Sequence, residues 1–176
     1  MSAAHLHLAL NHIPVLGTLL GATVLAYGLG RGYEAVQRVG LVLLVVAGGG
    51  ALAVYWTGGA AEEVVEGLAG VSHEAIEAHE AWGWYALLTG IGSGGAAFVA
   101  LIVRSMGRRV TPWGHVVVLG LALLSSGAMM YTANLGGQVH HPELRASPPS
   151  GPDANEPEEP EAEATVPDGA ERDEHE

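Results

Sequence analysis

Apolar residues along this chain gather in four long blocks rather than in an alternating or one-faced pattern. The blocks run over 13–30, 39–56, 81–103 and 112–135, and none holds an acidic residue, an arginine or a lysine. A soluble helix keeps one face polar for water; these blocks show no such face. A helix needs roughly 20 apolar residues to cross the ~30 Å hydrocarbon core, and ~17–25 is the usual range. The pattern predicts an all-α, integral membrane four-helix bundle in contact with the lipid bilayer. The first block is not read as a cleavable leader, because no basic segment precedes it.

Arginine sets the expected orientation. Arg31 and Arg38 lie between the first two blocks, and Arg104, Arg108 and Arg109 between the last two. The positive-inside rule puts both of those links in the cytoplasm and both termini outside, in a bacterial inner (cytoplasmic) membrane. The aromatic residues fit two interfacial belts. Tyr27, Tyr33 and Trp113 fall near the inner surface; Tyr55, Trp56, Trp82, Trp84, Tyr85 and Tyr131 fall near the outer one. In the outer loop, 62–68 reads as a short interfacial helix bounded by Gly58-Gly59 and Gly70. Ser72 is a cap for a helix that runs on into the third block. Pro14 suits a first helical turn, which leaves His12 at the mouth of the first span. Gly136-Gly137 followed by Pro142 marks the end of the fourth.

Composition adds a second part to the picture. The formal net charge is -12, yet residues 1–142 carry seven acids against five arginines. The remaining twelve acids lie in 143–176 with two arginines. A nearly neutral transmembrane domain, 1–145, is therefore joined to an acidic tail, 146–176, too poor in apolar residues to pack and expected to be disordered. The chain has no cysteine and no lysine. A thiolate metal site, an iron–sulfur cluster and covalently attached haem c are excluded. No basic cluster is dense enough for nucleic acid.

The polar residues that could carry chemistry converge on the outer side. His5, His7, His12, His73, His79, His140 and His141 fall there, with Glu62, Glu63, Glu66, Glu74, Glu77, Glu80 and Glu143. Imidazole nitrogen and carboxylate oxygen from several segments together suit a borderline divalent ion. His79 shares a helical stripe with Ile76 and Gly83, so it should face the bundle; Glu80 shares a wetter stripe with Glu77 and Trp84. His12, His79 and His141 form the candidate cofactor-binding set, with Glu80, Glu143, Glu62 and Glu63 as candidate metal-site carboxylates. Each histidine taken alone is also what an interface exposes to headgroups and water. Gly17 and Gly21, and Gly90 and Gly94, have GxxxG spacing; Gly48–Gly50 and Gly92–Gly95 lie near mid-span. Close helix approach is the favoured reading of these glycines. Room for a flat cofactor such as haem b, held by two of the three histidines, is the other. His115, beside Trp113, has no evident partner in the sequence.

Several segments together resemble a family of bacterial four-span membrane proteins. They are His7–Val15 with its Asn-His-Ile-Pro-Val core, Thr57-Gly58 with Ala61–Glu66, Gly70–Ser72, His79-Glu80, and Thr132–Val139 continuing to His141 and Glu143. The resemblance covers residues 5 to about 145 and implies a four-span fold without an established activity. Relatives of that family beside or fused to cytochromes imply electron transfer. The leading expectation is a membrane protein holding a divalent transition metal or haem at its outer face, linked to electron transfer. The alternative is a non-catalytic accessory subunit of a larger respiratory or photosynthetic redox complex. A transporter ranks lower, because no charged residue lies inside a span. Nothing around Ser125 and Ser126 resembles a nucleophilic catalytic set.

Overall fold

In the computed structural model the four apolar blocks lie in four long helices: α1 (Ala3–Arg31), α2 (Glu34–Val65), α3 (His73–Ser105) and α4 (Pro112–His140). The structure describes residues 2–68 and 70–141, and no strand occurs among them. Glu143 and the acidic segment 146–176 lie outside the described residues. Local chemistry explains the helix ends. The hydroxyls of Ser2, Ser72 and Thr111 accept from the backbone N–H groups of His5, Ala75 and Gly114, each using a donor that the first turn leaves unpaired. Helices α1 and α3 end at left-handed glycines, Gly32 and Gly107. At each the following residue reaches back: Tyr33 N–H to the Gly28 carbonyl, Arg108 N–H to that of Val103.

Each helix packs on its neighbours in chain order, and α1 also meets α4, so the four close into an antiparallel ring. The link from α1 to α2 is only Gly32 and Tyr33. All four helices are long and apolar enough to cross a membrane. Their outer surface agrees: Leu16, Val46, Phe98, Val99 and Leu124 are exposed along the middle of the bundle, and Trp56 and Trp113 near its ends keep 76% and 78% of their surface. So much exposed apolar surface on a bundle this small fits lipid and not water.

Small residues bring the helix backbones together. A Cβ on Gly48 would stand 2.9 Å from the Gly90 carbonyl oxygen and 3.1 Å from the Gly94 Cα. One on Gly40 would meet the Leu25 backbone at 2.6 Å. Gly17 and Gly21 face Ala47 and Leu44 in the same way. Helix–helix contact therefore fills the crossing at Gly48, Gly90 and Gly94, the close approach read from their spacing, while Gly49, Gly92 and Gly95 face outward. Leu25, Leu41, Leu44, Ala97 and Ala122 close the core on the arginine side of this crossing.

Helices of 29–33 residues are roughly 44–50 Å long, well beyond a ~30 Å hydrocarbon core. The surplus lies at the end carrying the histidines, in 3–12, 57–65, 73–80 and 136–140. There the helices form a collar about 8–15 Å tall, at a rise of ~1.5 Å per residue. The sequence reading misses this collar at three points. Pro14 is not a first-turn residue: α1 begins at Ala3, and Pro14 is buried inside it, against Gly50. Residues 62–68 do not form a separate interfacial helix, because α2 runs through Gly58-Gly59 to Val65. Gly136-Gly137 does not end α4, which continues to His140. The reason is packing. Val65, Ile76 and Val139 form a small core inside the collar, flanked by Ala4 and Ala75. Its burial outweighs the ~1 kcal/mol that each interior glycine costs a helix.

Candidate functional site at the histidine end

Two imidazoles meet inside the collar. His7 of α1 and His79 of α3 are half-buried, with ring centroids 6.4 Å apart and planes at 81°. Each ring is held by its Nδ1. That of His79 lies 2.9 Å from the Thr132 carbonyl oxygen of α4. A carbonyl only accepts, so Nδ1 carries the proton and Nε2 keeps the lone pair. His7 Nδ1 lies 3.1 Å from Thr57 Oγ1, whose own hydrogen goes to the Val54 carbonyl at 2.8 Å. Thr57 is left to accept, which fixes the same tautomer on His7. Two imidazoles with Nδ1–H bound to an oxygen and the lone pair on Nε2 have the arrangement that outer hydrogen bonds give to metal-ligating histidines.

Glycine makes room for the His79 ring. A Cβ on Gly136 would lie 2.9 Å from His79 Cε1, so the ring rests directly on the α4 backbone. Gly58 lies under His7 in ordinary contact at 3.8 Å. The ring pair thus joins all four helices: the His7 segment, Thr57-Gly58, His79, and Thr132 to Gly136. Aromatic rings surround the base of the collar, with Tyr55 against Trp84 and Trp82 against both Tyr85 and Tyr131.

The remaining candidates are placed elsewhere. His12 is exposed, and its Nδ1 donates to the Leu8 carbonyl on its own helix at 2.9 Å. His141 is exposed just beyond α4, its N–H on the Gly137 carbonyl. Glu63 is exposed. Glu62 and Glu80 do come together, as a facing carboxyl pair. Nearby, His73 lies 3.3 Å from Glu77 and 3.8 Å from Glu66, all on the surface. Among the described residues no three His, Asp or Glu side chains are grouped to hold a metal ion by themselves.

His7 is the residue that sequence reasoning passes over, and a signal for it exists. The buried face of α1 steps through Pro14, Thr18, Gly21, Leu25 and Gly28. Continued backwards by the same three- and four-residue steps it reaches Asn11, His7 and Ala4. Starting the helix at Pro14 hides that continuation and promotes His12, which lies off the stripe.

At the other end of the bundle a polar relay replaces the imidazole pair. Arg104 donates to Gln37 Oε1 at 2.6 Å, and buried Gln37 donates to the Gly28 carbonyl at 3.1 Å. His115 Nε2 is buried there without a partner among the described residues. Mid-bundle, the hydroxyls of Ser93 and Ser125 are likewise buried and unpartnered, whereas Ser126 bonds back to the Ala122 carbonyl.

Comparison with family models, with curated proteins and with solved structures gave no match.

Proposed function

We propose that this chain is a small multi-pass membrane protein that binds a transition-metal ion at the histidine end of its bundle, through Nε2 of His7 and of His79. The observation that carries the reading is the ring pair itself. Two imidazoles sharing one ion through nitrogens at ~2.0–2.1 Å place their centroids roughly 5–6.5 Å apart, widest when the two nitrogens lie opposite each other, and these stand at 6.4 Å. Imidazole suits copper, zinc, iron and nickel alike. Two protein ligands leave positions open for water, for a small exogenous ligand or for a donor from a partner. A redox-active ion there would serve the electron transfer that the motif resemblance implies. Haem is the weaker form of the proposal, because helix contact fills the crossing at Gly48, Gly90 and Gly94. Elemental analysis of protein purified from membranes and loaded with copper or zinc tests it. About one ion per chain, without a Soret band, is expected. No bound ion after loading overturns it.

A second reading, an accessory subunit of a larger membrane redox complex, rests on a separate observation. Gly49, Gly92, Gly95, Gly120 and Gly127 have nothing within 4 Å of where a Cβ would stand. Small residues open on a lipid-facing surface are where further helices pack closely. Co-purification with larger subunits from mild detergent supports this reading; a solitary metal-loaded monomer opposes it.

A further inference from the structure

We propose that the groove between α3 and α4 at the arginine end binds an anionic phospholipid, with an acyl chain along the groove and the phosphate at Arg109. The groove holds about 430 Å³. Ala96, Val99, Val103 and Val117 wall it, and Arg109 and Thr111 line its polar end. Arg109 is an exposed arginine at the end of apolar groove walls; a guanidinium there suits an anionic partner, and the described residues supply none here. Among the described residues the ion pairs are those of His73, at the opposite end. Arg104 is committed to Gln37 and to the Glu34 carbonyl, and Arg31 lies over Tyr33. Glu34 is the one acidic residue at this end among the described residues, against Arg31, Arg38, Arg104, Arg108 and Arg109.

A lipid phosphate has the charge and the depth to answer that guanidinium. Arginine takes phosphate through two parallel N–H bonds. The groove mouth is also the start of the 29-residue helix α4, where the helix dipole favours an anion. Basic pockets between spanning helices hold anionic headgroups for the same reasons. A zwitterionic headgroup fits less well, because its own cation would meet Arg109 at the groove's polar end.

Native mass spectrometry of the full chain tests this, after incubation in mild detergent with equal phosphatidylglycerol and phosphatidylcholine. The parent should retain one phosphatidylglycerol per chain, preferred by about tenfold, the worth of one charge-assisted contact. Arg109→Gln should bring the preference close to parity. Arg38→Gln, at the same end but outside the groove, should leave it intact. Val117→Trp should expel the retained lipid; Val117 is an exposed residue, so folding should survive, and the unfolding temperature checks that. No preference in the parent, an unchanged preference in Arg109→Gln, equal erosion by Arg38→Gln, or full retention in folded Val117→Trp would each overturn the proposal. So would a dimer that excludes lipid from the groove.

Discussion

The imidazole of His79 occupies the space that a Cβ on Gly136 would need, with Cε1 2.9 Å from that position. The contact lets His79 reach the Thr132 carbonyl one turn earlier on α4. Gly137, next along the helix, has nothing within 4 Å. Gly136→Ala should therefore push the ring away, lose the Nδ1 bond and cost roughly 1–3 kcal/mol. Gly137→Ala should be neutral or stabilising by about 0.5–1 kcal/mol, as alanine is in a helix interior. Thermal unfolding of both variants in the same detergent checks the pair. Equal effects would mean that the ring is not seated on Gly136.

The mid-bundle crossing makes a similar contrast. Gly48→Ala must force α2 away from Gly90 and Gly94, whereas Gly49→Ala points into open space. A loss of roughly 1–3 kcal/mol is expected for the first and none for the second. Unfolding of each by denaturant, followed by helix content, measures it.

At the other end, buried Gln37 depends on Arg104. Arg104→Ala leaves Gln37 Oε1 without its donor and should cost about 1–3 kcal/mol, the usual penalty for a buried unpaired acceptor. Gln37→Met in the Arg104→Ala background should recover part of that loss. A double-mutant cycle on unfolding free energy separates the two outcomes.

The expected orientation has a direct test. Among the described residues the arginines lie at one end and the histidine collar at the other. Cysteine placed at Ser72 should react with an impermeant thiol reagent added outside intact cells, and cysteine at Ser105 should not. The opposite labelling would move the ring pair to the cytoplasmic face.

The four helices are legible in the sequence because bilayer physics writes long uncharged blocks, and such blocks have few alternatives. The collar is not, because its polar residues follow the short-range rules of interfaces while its helices persist through packing of Val65, Ile76 and Val139 brought from three segments. That packing carries α2 through Gly58-Gly59 and α4 through Gly136-Gly137, where local propensity favours a break. For the site the same limit applies. His79 is legible from its stripe, but His7 becomes visible only once α1 is extended past Pro14. The pairing of His7 with Thr57 spans fifty residues, which no local pattern encodes. Glu62 and Glu80 do meet, as a carboxyl pair.

Metal affinity in single histidine variants reads the central claim most directly. Copper or zinc binding should be measured by titration of the full chain in detergent, for the parent and for His7→Ala, His79→Ala and His12→Ala. His7→Ala and His79→Ala should each weaken binding at least tenfold, because either change leaves only one imidazole on the ion, while His12→Ala, on an exposed ring tied to its own helix, should match the parent. Parent-like binding in His7→Ala and His79→Ala, or a loss confined to His12→Ala, would contradict the account.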